Sequence, residues 1–536
     1  MLLLYFRRCI LFFAVAVCLL STAEGAIFMV KPGGTGDGSS WEKALGEKEF
    51  ADALPEAAPG SEFWLVAGTY RPAVVSQDTG ASRDRSFLVN SGVALYGGFA
   101  GDETARSQRR WVENETILSG RLSDDEESAG SYHVIIVSGD ISGSAIIDGF
   151  TITGGQADGT DENSIGGGMY LFKSNPVIAN CLFTENSAVN GGALYAGESS
   201  FSVKDSTFSG NTAALGGGIF ADESMLSLLE SVFIDNQAQA GGALYSRSAA
   251  PLNAVSKVEK CSFSRNKASE KGGALVNWES NIVITDSGFL SNEAHAEGEQ
   301  TDGGALFNHR STPRIENSTF YGNSAYNGGA IANWDSSPVI VNCTFSENEA
   351  GERGGALLND KSSPILINST FRSNSASEGG ALFNYAGSPV IANSILWENG
   401  TEIRKEGGTT TITYSIVEGG FEGEGNRNQD PRLSDLADNG GFTKTCAIDE
   451  NSPAVDEGLP VGTLVAGVPI PARDQRGAAR PRRLGVDMGA FEYFGPNDPE
   501  PHSGGGGGGV GCQSAAGGAT NLLILLPLLF SFVRRK

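Results

Sequence analysis

Two short motifs recur in step along the chain and constrain its fold more than anything else in it. A Gly-Gly-(Ala/Gly)-(Leu/Ile/Met) tetrad opens at Gly166, Gly191, Gly216, Gly241, Gly272, Gly303, Gly328, Gly354 and Gly379. The steps between them are 25, 25, 25, 31, 31, 25, 26 and 25 residues. A Phe-x-x-Asn motif keeps pace, its Asn falling at Asn186, Asn211, Asn236, Asn266, Asn292, Asn323, Asn348 and Asn374. A ninth copy ends in Leu396 and Asn399. Such a register belongs to a solenoid, in which each repeat is one turn and buries its apolar face only against its neighbours.

Each copy holds two strand-like pieces, one after the Gly pair (Gly379–Asn384) and one running up to the aromatic position (Ser388–Leu396). Gly, Asn and Ser separate them, and no stretch carries a helical period. One copy is therefore one β-coil, and stacking places like on like about 4.8 Å apart. Phe stacks inside, and the Gly pair permits a tight corner. The repeated Asn forms a ladder of amides and, because Asn tolerates the left-handed region, is expected to carry the turn itself.

A small-residue column holds Cys181, Cys261 and Cys343 alongside Ser206, Ser231, Ser287, Ser318, Ser369 and Ser394. The cysteines lie three coils apart, roughly 14 Å at the strand spacing, so free buried thiols are expected, since a disulfide needs Cα atoms within about 7 Å.

The paired repeat over about residues 166–400 resembles that of the chlamydial polymorphic outer-membrane proteins. That resemblance implies a surface adhesin. Those proteins end in an autotransporter barrel, for which nothing after Tyr493 supplies alternating strands. Upstream, Ile27–Gly34, Asp37–Trp41, Phe63–Tyr70, Leu95–Gly101 and Ala145–Gly155 are similar to the opening coils of exported pectin-lyase-like proteins. The fold implied is all-β, a single-stranded right-handed parallel β-helix. Residues 40–60, with Trp41, Ala44, Leu45 and Phe50, suit a short helix capping the first coil, whose bare strand edge would otherwise recruit other chains.

Both termini carry addresses. Arg7 and Arg8 precede an apolar run, Cys9–Leu20, then small residues at Ala23 and Gly25, the pattern of a secretory signal peptide. At the other end come Gly504–Gly509, Cys512, a short apolar run (Asn521–Val533) and Arg534-Arg535-Lys536. The apolar run is shorter than the roughly 20 residues a spanning helix needs. This tail resembles the C-terminal sorting signals of Synergistetes-type surface proteins, which implies cleavage near Cys512 by a sorting protease and transfer to the cell surface. Between repeat and tail, Asp430–Leu433, Asn439–Gly441, Ser452–Asp456, Asp474–Gly477, Arg480-Pro481 and Asp487–Tyr493 resemble the choice-of-anchor Q domain. The expected organisation is a leader (1–26), a cap with first coils (27–165), the nine-copy β-helix (166–420), a closing segment (421–493), a Gly-rich stalk (494–511) and a sorting signal (512–536).

A net charge of −25 would repel nucleic acid and anionic membrane surfaces, so membrane contact is expected only through export and anchoring. Two coils carry a six-residue excess, around Arg247–Ala254 and Ala294–Asp302, bracketing the Gly272 coil. From that coil on, the second position after Leu/Ile becomes Asn277, Asn308, Asn333, Asn359 and Asn384. If this second Asn ladder points inward, period-2 alternation turns its neighbours Trp278, His309, Trp334 and Tyr385 outward. Such a row is a candidate binding strip for glycan rings or a partner on a host or neighbouring cell. The alternative is that these residues lie beneath the insertions or a cap. His309 has no second His or Cys at ligand spacing, and no pattern calls for a metal or cofactor. Asp205, Glu230, Lys260 and Asp286 share one column with Asn180, Asn317, Asn342, Asn368 and Asn393, which reads as a polar turn column more readily than as a catalytic set. The reading favoured is a surface-binding protein without catalysis. A polysaccharide lyase or hydrolase with its site near the insertions, and a structural surface-layer component, stand as alternatives.

Overall fold

Every repeat copy makes one full turn of a parallel β-helix, and the turns stack in register. The computed structural model describes residues 25–72, 82–122, 129–139, 143–248 and 255–495. Nearly all of the leader, stalk and sorting segment, Cys512 included, and most of the first insertion lie outside the described residues. Among those described, the strands form three long parallel sheets. The first, of 14 strands, runs from Ile27–Val30 to Thr411–Thr413. The second, of 13, runs from Gly68–Tyr70 to Ile416–Val417, and the third, of 12, from Phe87–Val89 to Ile403–Glu406. A fourth, short sheet of five strands spans Gln237–Ala240 to Glu349–Arg353.

One coil shows how the sequence bends. Leu306–His309 lies in the third sheet, Arg314–Glu316 in the first, Thr319–Tyr321 in the second and Ser324–Asn327 in the fourth. A residue with positive φ sits at each corner: Arg310 (47°), Asn317 (51°), Gly322 (62°) and Gly328 (63°). A single left-handed residue turns the chain sharply but costs an L-residue about 1–2 kcal/mol. The next residue offsets that cost with a ladder bond. The N–H of Ser311 donates to Ser336 Oγ (3.0 Å), that of Ser287 to Ser318 Oγ (3.2 Å), and that of Asn323 to Asn348 Oδ1 (3.1 Å).

Two expectations are corrected here. The left-handed residue is the one before the ladder Asn, as in Glu185, Asp235, Arg265 and Ser291, because the Asn itself must aim its amide inward along the stack. The second strand-like piece is two strands, Val390–Ala392 and Ile395–Trp397, broken by the left-handed Asn393. The fourth corner needs glycine for a steric reason. A Cβ on Gly354 (φ +67°) would stand 2.2 Å from the Leu357 carbonyl oxygen, and one on Gly355 2.3 Å from the Gly380 oxygen of the next coil.

The interior is a column of rings. Phe183, Phe208, Phe233, Phe263, Phe289, Phe320, Phe345 and Phe371 stack face to face with centroids 4.6–4.8 Å apart. Cys181, Cys261 and Cys343 are free and buried, and burial pushes each thiol up to about 12. Such thiols are poor nucleophiles. At the first coil, the helix Glu47–Ala53 places Phe50 against Phe63, Tyr70 and Phe87, one ring from each sheet.

The segment after residue 421 does more than close the far end. Phe421 packs against the core, but residues 443–490 run back along the flank. Thr443 and Lys444 bond the Asn317 and Thr319 positions (2.8 and 2.6 Å). Asn342 Nδ2 donates to the Arg473 carbonyl (2.8 Å), Asn368 Nδ2 to that of Asp487 (3.1 Å) and Asn393 Nδ2 to that of Leu459 (3.1 Å). The corner column thus changes from Asp205, Glu230, Lys260 and Asp286 to four Asn where another segment docks on it. A charge there would be buried against backbone carbonyls. The outer face of the first sheet turns apolar over the same coils, where Val341, Ile367 and Ala392 meet Val465, Val468, Ile470 and Val486. Asn342→Asp keeps the turn but sets a carboxylate against the Arg473 carbonyl. It is expected to cost about 2 kcal/mol and to expose 443–490 to limited proteolysis. Asp205→Asn, on an exposed coil, should change stability by less than about 0.5 kcal/mol.

Candidate functional site

Aromatic side chains stand in register on the outer face of the third sheet. In the strand Ile331–Trp334, Ile331 and Asn333 point into the core and Ala332 and Trp334 point out. Inside, Asn277, Asn308, Asn333, Asn359 and Asn384 are buried, and each Nδ2 donates to the Oδ1 of the next at 3.4, 2.8, 2.9 and 2.7 Å. That ladder fixes the register of the opposite face, where Trp278, His309, Trp334, Asp360 and Tyr385 lie directly above one another.

The row is not uniformly bare. Tyr385 is 45% exposed, whereas Trp278, His309 and Trp334 are half-buried. The Trp278 and His309 rings lie 4.1 Å apart at 33°. Burial and the neighbouring Arg310 hold His309 below the usual imidazole range, so at neutral pH its ring is mostly uncharged. The Trp334 Nε1–H is buried and has no hydrogen-bond partner among the described residues.

A second outer row escapes a reading that follows only the Asn neighbours. Two positions before Trp278, His309 and the others stand Val276, Phe307, Ala332, Leu358 and Phe383. Toward the N-terminus the row continues as Tyr170, Tyr195, Phe220 and Tyr245, with rings 5.9, 5.5 and 5.1 Å apart. The same period-2 rule that turns Trp278 out also turns Val276 out, and that was the available signal. From Phe220 onward this row is buried although it faces outward, with residues just ahead of the Gly pairs, such as Leu215 and Ala240, packed on it. The Lys271 ammonium stands 5.0 Å from the Phe307 centroid and 5.5 Å from that of Trp334, and the Arg353 guanidinium 5.1 Å from Phe383.

Asp302, at the end of the second insertion, belongs to the same neighbourhood. It is 4% exposed and accepts a hydrogen bond from Asn327 Nδ2 at 3.1 Å. Burial raises its carboxyl to about 6, against the pull of Asn327 and Lys271, and Asp360 adds a further upward push. The face therefore combines aromatic rings, an uncharged imidazole, the Lys271 ammonium, the Arg353 guanidinium, Asp360, and the Asp302 carboxyl raised to about 6. In the corner column, by contrast, Asp205 and Glu230 are exposed and Lys260 and Asp286 half-buried at turns. Among the described residues no three His, Cys, Asp or Glu side chains converge as a metal site would require. No helix there is long and apolar enough to cross a membrane.

A family model described as the right handed beta helix region matches residues 127–289 and 282–423, more than half of the chain. The chain belongs to the right-handed β-helix family. The match covers all nine repeat copies of this β-helix and the whole aromatic face. Among solved structures, pectate lyase Pel9A is similar at 13% identity, over 88% of this chain and 98% of that one, with a TM-score of 0.35. PfbA, a surface adhesin of Streptococcus pneumoniae, is similar at 10% identity, over 79% and 99%, with a TM-score of 0.36. A rhamnogalacturonan lyase is similar at 9% identity, over 77% and 92%, with a TM-score of 0.28. No curated protein matches the sequence.

Proposed function

We propose that this β-helix is an exported cell-surface protein that binds a glycan or a neighbouring surface through the outer face of its third sheet, without catalysis. The observation that carries the reading is the register of Trp278, His309, Trp334 and Tyr385 above a buried Asn ladder. A β-helix sets such rings one strand spacing apart on a rigid support, so little ordering entropy is lost on binding. Export rests on the leader pattern, and retention at the surface on the tail with Cys512 and its sorting protease. Residues 421–493 serve, on their resemblance, as the anchoring context.

The test is binding of the full chain to an immobilised glycan panel and to intact cells. Trp278→Ala and Trp334→Ala are each expected to weaken the interaction about tenfold, about 1.4 kcal/mol, in variants that circular dichroism shows to be folded at the assay temperature. Binding indifferent to both substitutions would remove the strip from the account.

One observation favours a second reading, a polysaccharide lyase or hydrolase. Asp302, its carboxyl raised by burial to about 6, stands beside Lys271 and an aromatic wall, which suits a proton-transfer group. A reducing-sugar and unsaturated-product assay on acidic and neutral polysaccharides, with and without calcium, decides it. Turnover lost in Asp302→Asn would make the protein a carbohydrase. Binding without turnover leaves the first reading in place.

A further inference from the structure

Far from the aromatic strip, the first coils carry a second cleft. It measures about 540 Å³ and is lined by Ile27, Glu62, Trp64, Arg106, Arg109 and Trp111, with Ser107 at its edge. Its floor is the outer face of the first sheet, where Trp64, Tyr96 and Asp148 succeed one another in register. Its wall is the loop 100–114.

That wall is held firmly. The Glu103 carboxylate accepts the N–H groups of Ala100, Gly101 and Asp102 (2.7, 2.9 and 3.2 Å), and Trp41 Nε1 donates to the Glu103 carbonyl (2.8 Å). The Trp111 backbone rests on Gly98 (φ +93°), where a Cβ would come within 2.6 Å of Trp111 Cα. So fixed, Trp111 still leaves 40% of its surface exposed, and Ile27 47%. A large ring held open to solvent by a braced loop does not contribute to a core.

The polar groups are paired among themselves. Arg106 meets Glu62 Oε1 at 3.1 Å and the Tyr96 hydroxyl at 2.7 Å. Arg109 meets Asp148 Oδ2 at 2.5 Å and lies 5.0 Å from the Trp111 ring. Trp64 Nε1 donates to Glu62 Oε2 at 2.8 Å. Each guanidinium has its carboxylate, so the cleft offers donors and acceptors without net charge. An anion would have to displace Glu62 or Asp148 on a chain of net charge −25. A cation would meet Arg106 and Arg109. The chemistry that fits is a neutral ring with one apolar face and a rim of hydroxyls. Its C–H face would lie on Trp111 and its vicinal hydroxyls would bridge Glu62 and Arg106. The volume falls within the range of roughly 300–1,000 Å³ usual for small-ligand sites.

We propose that this cleft is a binding site for a neutral pyranose unit of a polysaccharide, separate from the third-sheet strip and independent of it. The test is isothermal titration or ligand-observed NMR of the full chain with maltohexaose, cellohexaose and mannohexaose, with trigalacturonate as the charged comparator. At least one neutral hexaose is expected to bind and to lose about tenfold in affinity in Trp111→Ala and in Arg106→Ala. Trp111→Phe, which keeps a ring, should stay within about threefold. Trp334→Ala should leave this affinity unchanged, which separates the cleft from the strip. No binding of any neutral hexaose at millimolar concentration, affinity unchanged in Trp111→Ala, or tighter binding of trigalacturonate would each overturn the proposal.

Discussion

Asn323→Ala is expected to lower the free energy of unfolding by about 4 kcal/mol. Asn323 is fully buried and carries five hydrogen bonds in the ladder. Its Nδ2 donates to the Phe289 carbonyl (2.9 Å) and to Asn348 Oδ1 (2.9 Å), and its backbone N–H to the same Oδ1 (3.1 Å). Its own Oδ1 accepts the N–H and the Nδ2 of Asn292 (2.9 and 3.0 Å). Alanine keeps the backbone bond and removes the other four. The Asn292 N–H is then left without a partner in a dry interior, at about 1–3 kcal/mol, and the Asn292 amide and the Phe289 carbonyl each lose one of their bonds. Denaturant unfolding followed by circular dichroism checks the size of the effect. Hydrogen exchange checks its place, since a solenoid passes strain mainly to its neighbours and amides in the coils on either side should lose protection first. A loss below about 1 kcal/mol would mean that water replaces the amide.

The same ladder has a direction. From Asn to Asn, each amide donates to the Oδ1 of the next coil on its C-terminal side, so the last one needs a terminal acceptor. Asn399 finds it in Glu402, whose two oxygens take the backbone N–H (3.0 Å) and Nδ2 (2.7 Å). Burial pushes this carboxyl up to about 7 against those bonds.

The repeat made most of this architecture readable, because two motifs in register leave one way to stack. Alternation in the strand Leu275–Trp278 puts Asn277 and Trp278 on opposite faces, and burial of Asn277 decides which of them points in. What stayed hidden depended on contacts between distant parts of the chain. Nothing local in Asn317, Asn342, Asn368 and Asn393 shows that residues 443–490 lie against them, although the run of four Asn after four mixed residues was visible. The strand Val339–Val341, apolar on both faces, carried the same message and was open to reading as a fully buried strand. Asp302 looked like an ordinary insertion residue, and only its burial beside Lys271 gives it a raised pKa. The cleft at Trp111 joins a loop to four strands between residues 27 and 148, and no spacing within the chain brings Glu62 to Arg106.

Arg480→Met should be the most damaging change in the C-terminal segment, costing about 3–5 kcal/mol near pH 8. Arg480 and Glu492 are an ion pair at 2.8 Å with side chains 0% and 1% exposed. The guanidinium also donates to the carbonyls of Asp487 (2.9 Å) and Gly489 (2.8 Å). Removing it leaves Glu492 buried beside Asp487 with its strongest counter-charge gone. Burial and the neighbouring carboxylate already raise Asp487 to about 7, and Glu492 is raised by burial despite Arg480. A raised acid binds its proton in the folded state at a pH where the unfolded chain has released it. Its contribution to stability is therefore undiminished below the unfolded value near 4 and falls as pH climbs to the folded value. Without Arg480 both acids rise further, so the variant's deficit should shrink on going from pH 8 to pH 5 as Glu492 and Asp487 take up protons. Unfolding curves of both proteins at the two pH values measure this directly. A deficit of equal size at both would assign the role of Arg480 to its bonds with the Asp487 and Gly489 carbonyls rather than to its charge.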